Sequence, residues 1–552
     1  MSELDLTKNA DRRINGLQMD RYSWFQHWRD LADYILPRRY KWLVTGNQAF
    51  RGSPINNKII DSTATIAART CAAGMMSGLT SPTRPWFKLK VGGFTNADTD
   101  NPIARWLAEV EKRMMRVFSV SNFYNAIGVA YFDLVVFGSA ALLMYEDFED
   151  GIRCYNPALG EFYLQNDARM QVGVFGREFV MSLPQIAEEF GEENLPEELR
   201  AYLKARTDLQ TEYVIRHLIE PNTGSSPVPK NMKYREIYFF KDRFDEKHPY
   251  LRCRGFHEMP GMFPRWDIVG NDAYGRGPGM DALGDVKQLQ QEQLRKAQAI
   301  DKMVNPPLVA DVQLKNQPAS LLPGGITYVA GQNNIGLKPI FEVNPPVREL
   351  MEDIKEVQGR IKEIFFNDLF MMISQLDTVR TATEIDARKE EKLIQLGPVI
   401  ERFENECLSP AITRVFNILN RRGYIPDPPE NIGGMPIQIE YVSMLAEAQK
   451  AVATASLDRV FQVTGNLAAV KPEVLDVVDF DAALDEYATL LGAAPRIIRS
   501  PEELAAYRQK KAEMQQQQQA LEAAPAAVQG AKVLSQTEMG GGQNALQAML
   551  GG

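Results

Sequence analysis

A mainly helical α+β fold is expected for this chain of 552 residues. Three observations point to it. Residues 11–36 carry apolar side chains at helical spacing, residues 150–265 change to short alternating runs, and residues 281–304 read as a long polar helix with one narrow apolar seam.

Taken in order, Leu17, Trp24, Trp28, Leu31 and Ile35 recur at mostly three- and four-residue steps, and Pro37 ends the pattern. The aromatic group Trp24, Phe25 and Trp28 reads as core, with a surface anchor as the other reading. Next comes a helix of small residues through Ala64, Ala72 and Ala73. It breaks at Gly78, turns at Ser81-Pro82 and enters a strand led by Trp86-Phe87. Small residues let a second backbone approach, and Pro82 and Pro85 fix the exit direction. Asn101-Pro102 opens a helix over 103–118, and residues 122–145 continue as a helix and an apolar hairpin or strand. Val172–Phe175, Tyr213–Leu218 and Ile237–Phe240 read as strands, Ser182-Leu183-Pro184-Gln185 opens a short helix, and 222–231 is a Pro/Gly/Ser loop.

Tyr274-Gly275-Arg276-Gly277-Pro278-Gly279 reads as a flexible turn before the helix over 281–304, about 36 Å long. Leu283, Val286, Leu289, Leu294, Ala297, Ile300 and Val304 form its seam, while Gln288, Gln290, Gln291, Gln293 and Gln298 belong to its polar surface. Such a helix suits packing beside like helices rather than burial in a globule. Pro306-Pro307 and Pro345-Pro346 bracket a small insert with strand-like pieces at 308–310 and 326–329, and a second helix follows over 347–369. The Met-rich stretch 370–380 comes next. Thr381-Ala382-Thr383-Glu384 then fits a capping box at the head of a very long helix to about Arg422, kinked at Pro398 and Pro410 and stopped by Gly423. A strand over 435–441 and helices over 444–468, 481–490 and 501–519 complete the pattern. Their surroundings are acidic, through Asp476, Asp479, Asp481, Asp485, Glu486, Glu502 and Glu503. Residues 515–552 form a Gln/Ala/Gly-rich tail, expected to be mobile or partly helical.

The net charge of −9 argues against a protein that wraps DNA by neutralising phosphates, though an acidic wall suits a duplex that slides past. Ordinary solubility charge is the other reading. Cys71, Cys154, Cys253 and Cys407 are far apart, so neither a disulfide framework nor a zinc ribbon is indicated, and a reducing, cytosolic assembly site fits. The acidic start lacks the order of a signal peptide, and the apolar run 134–145 is too short to span a bilayer, so no membrane role is expected.

Catalytic hardware is sparse. There is no GxxxxGK[ST] loop, and Pro278 removes an N–H that a phosphate cradle at 275–279 would use. His248, Cys253 and His257 have no clear fourth ligand and read as a loop. Glu146, Asp147, Glu149 and Asp150 read as a solvated hairpin tip ahead of Gly151. No enzyme activity, cofactor or metal is expected.

Four blocks in order resemble the portal (head-to-tail connector) proteins of short-tailed, T7-like bacteriophages. They are Ser77–Pro82 with Trp86-Phe87, Asp133–Ala140, Tyr274–Leu283, and Thr381–Ile385 with Arg388. The resemblance implies a portal fold with wing, stem, clip and crown, assembled as a ring, usually of twelve subunits. It implies a wing at 1–277, stem helices at 278–305 and 346–369, and a clip at 306–345. It further implies a tunnel loop, long kinked helix and return strand at 370–440, and by position a crown at 441–514 before the tail at 515–552. The implied setting is the capsid vertex of a virion, assembled in the host cytoplasm. The implied partners are further copies of the chain, double-stranded DNA in transit, the terminase large subunit, a tail adaptor or tail tube protein, and the major capsid and scaffolding proteins. Twelve helices at about 10 Å spacing give a ring about 38 Å across through their axes and a bore of about 28 Å, wider than a B-form duplex.

On that reading Met371, Met372, Gln375 and Arg380 contact DNA at a soft constriction, with Met371 and Met372 equally readable as core. Lys287, Lys296 and Lys302 touch phosphate in the stem lumen, or pair instead with Asp285, Glu292 and Asp301. Lys315, Asn316 and Gln317 are the candidate clip contacts to terminase or adaptor. Two other readings compete: a non-viral helical scaffold without a closed ring, and a hydrolase that loses activity when Glu146 or His257 is changed.

Overall fold

The change of apolar period near residue 150 is where helices give way to sheet. The structure, a computed structural model, describes residues 3–39, 43, 57–91, 102–207, 209–224, 227–243, 245–304, 308–310, 337–339, 346–375, 387–429, 436–442, 461–467, 479–480, 482–484, 504, 507–511 and 514. Its helices are α1 (Glu3–Tyr34), α2 (Thr63–Leu79), α3 (Pro102–Val120), α4 (Phe123–Phe137), α5 (Leu183–Phe190), α6 (Glu197–Ala205), α7 (Pro278–Val304), α8 (Val347–Ile364), α9 (Asn367–Gln375), α10 (Ala387–Phe403) and α11 (Ser409–Arg421). Its strands are β1 (Phe87–Val91), β2 (Leu142–Asp147), β3 (Gly151–Tyr155), β4 (Phe162–Asn166), β5 (Val172–Ser182), β6 (Glu212–Pro221), β7 (Tyr234–Phe240), β8 (Arg252–Phe256), β9 (Gly261–Met262), β10 (Leu308–Ala310), β11 (Leu337–Pro339) and β12 (Ile437–Tyr441). Residues 1–90 with 106–452 form one unit, and residues 91–105 with 453–552 another. In the second, residues 461–467 are helical and Phe461 stacks on Phe480 at 6.0 Å.

The antiparallel sheet β4-β5-β6-β7-β8 is covered on both faces. Alternation along β7 divides its side chains. Ile237 and Phe239 pack with Leu6, Ile14 and Leu17 of α1, and Tyr238 and Phe240 pack with Leu183, Ile186 and Phe190 of α5. The expected Ser182 start of α5 is a capping box, in which the Ser182 N–H donates to Gln185 Oε1 at 3.0 Å. The Asp150-Gly151 hairpin forms between β2 and β3, and Asp147 Oδ1 accepts from the N–H groups of Glu149 and Asp150.

α4 is apolar over most of its surface and largely buried, with Ile127, Tyr131, Leu134, Val135, Val136 and Phe137 inaccessible to solvent, while Asn125 and Val129 stay exposed. The small residues Ala64, Ala67, Ala68 and Cys71 let α2 lie close beside it. α4 ends at Gly138, whose φ of +75° is the left-handed conformation glycine adopts without strain. Residues 264–279 return onto this end. Trp266 N–H donates to Gly138 O at 2.9 Å, and Gly275 N–H donates to Ser139 Oγ at 2.7 Å.

The stretch 274–279, read from sequence as a flexible turn, is instead a backbone-to-backbone seat. A Cβ on Gly275 would strike Gly138 O, one on Gly277 would strike Gly138 Cα and Leu134 O, and one on Gly279 would strike Val136 O. The glycines are required by proximity, and α7 starts from this fixed point.

The long helix runs from Ala387 through α10 into a π-helical turn, Glu404–Leu408, and on through α11. Pro398 lies inside α10, while Pro410 falls just after the π turn, where the wider backbone spacing coincides with its missing N–H. The capping box at 381–384 lies outside the described residues. The π turn presents Glu406 to Arg265, which is buried and donates to Glu406 Oε1 at 2.6 Å, Met170 O at 2.8 Å and Asn166 Oδ1 at 3.0 Å.

Gly279→Ala is expected to destabilise the protein by about 3 kcal/mol or more, because backbone must move to admit the methyl group. Gly16→Ala, on the open face of α1, is expected to be neutral or to stabilise by up to about 1 kcal/mol. Thermal unfolding of the two variants checks the contrast.

Candidate functional site

α7 and α8 pack side by side, and the seam foreseen on α7 divides into two halves. Val286 and Leu289 are buried, as are Ile354, Val357 and Ile361 of α8. Beyond them Leu294 is 45% exposed, Ile300 41% and Val304 72%. The distal half of the seam is thus an apolar stripe that a single chain leaves uncovered.

The glutamines of α7 do not form one solvent-facing surface, which corrects that part of the sequence reading. Gln290 is buried, and its Oε1 accepts from the N–H groups of Ile60 and Asp61 at 2.6 and 2.8 Å. Its Nε2 donates to Asp61 O at 2.9 Å. Asp61 Oδ2 accepts from Gln293 of α7 and from Gln358 of α8, both at 2.8 Å. Its Oδ1 accepts from Thr63 N–H at 2.8 Å and Thr63 Oγ1 at 2.5 Å, capping the start of α2. Three helices therefore meet at one carboxylate. Burial works to raise the Asp61 pKa, but hydrogen bonds from Thr63, Gln358 and Gln293 outweigh it and hold the group below its ordinary value.

Lys287 Nζ lies 2.7 Å from Asp30 of α1, while Asp285, foreseen as its partner, is held by Arg360 at 3.1 Å. Periodicity along α7 cannot reveal either pairing, because both partners come from other helices. Lys296 is half-buried and Lys302 exposed, both farther along α7.

The returning helix, read as continuous over 347–369, is two helices. Phe366 breaks them apart with a φ of +54°, and α9 then runs to Gln375, so the first residues of the expected tunnel loop are helical. Met371 is exposed on α9, and Met372 and Gln375 follow in the same helix. Arg380, Lys315, Asn316 and Gln317 lie outside the described residues.

Other clusters have local partners. Glu146 Oε1 accepts from Arg422 Nε at 2.5 Å, His248 Nε2 lies 2.7 Å from Arg200 Nη2, and Cys253 sits in β8. Among the described residues no group of His, Cys, Asp or Glu is placed to hold a metal ion, and no single helix is long and apolar enough to cross a membrane. Sequence reasoning missed Asp61, Gln290, Gln358 and the pair Arg265–Glu406. The available signal was a polar residue on the inner face of an otherwise apolar helix stretch, as Gln290 is beside Leu289 and Val286.

The family model for the bacteriophage head to tail connecting protein matches residues 7–498 of the chain. The chain is 41% identical over 535 residues to the portal protein of Salmonella phage epsilon15, covering 96% of this chain and 95% of that protein. It is 40% identical over 521 residues to the probable portal protein of Bordetella phage BPP-1, covering 94% and 93% respectively.

Asp61→Asn is expected to cost about 1–2 kcal/mol at neutral pH, since a charge-assisted acceptor is lost. A carboxylate held low contributes stability above its ordinary pKa of 3.8 and loses it as pH falls through the lower folded value. The gap between wild type and Asp61→Asn in denaturant titrations should therefore be full at pH 7 and shrink in acid below pH 3.8.

Proposed function

The chain belongs to the bacteriophage head-to-tail connecting protein family, and on that premise we propose that its copies close into a ring through which the viral genome enters and leaves the head. Its role is that of a viral portal protein, a structural component of the virion at a capsid vertex and not an enzyme.

The ring reading is carried by the exposed distal half of the α7 seam. Leu294, Ile300 and Val304 form an apolar stripe at the spacing of helices that pack beside like helices. We assign α7 and α8 to the stem, the short β10–β11 pairing to the clip between them, and the sheet with α1 to the wing. Twelve such stems side by side leave a bore wide enough for duplex DNA. The clip, through Lys315, Asn316 and Gln317, meets the terminase large subunit during packaging and the tail adaptor afterwards. The wing and crown meet the major capsid and scaffolding proteins.

Within the bore, Met371, Met372 and Gln375 of α9, followed by Arg380, form the soft constriction. Met371 is exposed on the single chain, which supports this placement. Lys287 already faces Asp30, so phosphate contacts from the stem fall to Lys296 and Lys302. A net charge of −9 suits a duplex that must slide without sticking.

Native mass spectrometry of the purified chain should give a particle of about 750 kDa, twelve copies of the 62.2 kDa chain. A monomer or dimer under all conditions favours the scaffold reading. Deleting residues 376–380 should leave the ring intact and change the amount of DNA packaged or retained. Unchanged packaging removes the constriction from the account.

A further inference from the structure

We propose that Asp61 is a latch that sets the position of α9 relative to α7 and α8, with α2 as the strut between them. Three observations carry this. First, one Asp61 oxygen accepts from Gln293 of α7 and Gln358 of α8, and the other caps α2 through Thr63. Second, the far part of α2 meets α9 side chain to backbone. Gly74 faces the Phe370 ring so closely that a Cβ there would overlap it, and Phe370 is buried. Third, α8 and α9 are not one continuous helix. Phe366 adopts the left-handed conformation that a bulky L-residue rarely takes, so the chain changes direction between the two helices.

The mechanics follow from stiffness. An α-helix resists bending over a few turns, and from Thr63 to Gly74 α2 spans about 17 Å. A shift of α7 or α8 that stays hydrogen-bonded to Asp61 moves the start of α2, and α2 carries Phe370 with it. Apolar contact at Gly74 and Phe370 offers no alternative register, because the ring fills the groove a missing Cβ leaves. Asp61 touches nothing on α9 itself. It is a positioning residue, acting through α2, and the relevance of α9 to DNA rests on the portal reading.

Hydrogen–deuterium exchange tests the latch, comparing the purified wild-type protein with Asp61→Ala and Gln358→Ala in the same assembly state. Asp61→Ala removes the three side-chain arms and leaves the Gln290 bonds to the main chain of residues 60 and 61, and Gln358→Ala removes the α8 arm alone and leaves the Thr63 contact. The expected result is exchange about tenfold faster in residues 367–375 for Asp61→Ala, and a smaller increase in the same residues for Gln358→Ala, with 212–240 in the sheet unchanged. Faster exchange confined to residues 58–66, 286–293 and 354–361 would show a local structural role and overturn the proposal. If Asp61→Ala does not fold, Gln358→Ala decides by the same criterion. The comparison is equally decisive on a monomer, so failure of the ring reading and failure of the latch are separate outcomes.

Discussion

A close approach of main chain to main chain, residues 275–279 against residues 134–138, is the constraint on which the rest of this fold depends. α4 is apolar over most of its surface and its second half has to be enclosed. Its last turn is covered by backbone, because Gly138, Gly275, Gly277 and Gly279 leave no room for side chains between the two strands of chain. That contact fixes where α7 begins. With its first turn seated on α4, Leu283, Val286 and Leu289 are committed to the interior and the remainder of the helix projects away from it.

Polar clamps then set the angles that apolar packing leaves open. Asp61 ties α2, α7 and α8 together, and Arg265 ties residues 166–170 to Glu406 in the π turn. Arg414, also buried, donates to Met144 O at 2.7 Å and holds α11 against β2. Such groups add little net stability over well-packed apolar side chains, yet breaking a buried ion pair such as Arg265–Glu406 leaves a charge uncompensated, at about 3–5 kcal/mol. They suit a protein whose long helices must keep one geometry while sharing few apolar contacts along their outer halves.

Much of this was legible in the sequence. Apolar spacing located α1 and α7, Asn101-Pro102 marked the start of α3, α4 was read as a helix continuing after it, and alternation located β5, β6 and β7. Ser182 and Gln185 marked the start of α5, and the family was readable from four motif blocks. What stayed hidden has a common cause. Gly275 pairs with Gly138, Gln290 with Asp61 and Lys287 with Asp30, and each partner lies more than a hundred residues away in the chain. No local period reports such a contact. The α8–α9 break was missed for a different reason. Phe365, Leu369 and Phe370 keep helical apolar spacing across it, and all three are buried, so the pattern continues where the backbone breaks. Glycine-rich sequence before a helix reads as freedom, whereas here it is the condition for contact.

On the proposed ring reading the chain combines a rigid seat for its long helices with a surface that further copies complete. The glycine seat and the Asp61 junction supply the first, and the open half of the α7 seam supplies the second. A cryo-electron microscopy reconstruction of the assembled particle tests this most directly, by showing what covers Leu294, Ile300 and Val304 and which helices border the central opening. The account predicts a closed ring with α7 and α8 around the opening, these three residues buried against the neighbouring copy, and Gln290 still on Asp61. A ring bordered by other elements, with the α7 stripe open to solvent, would contradict it.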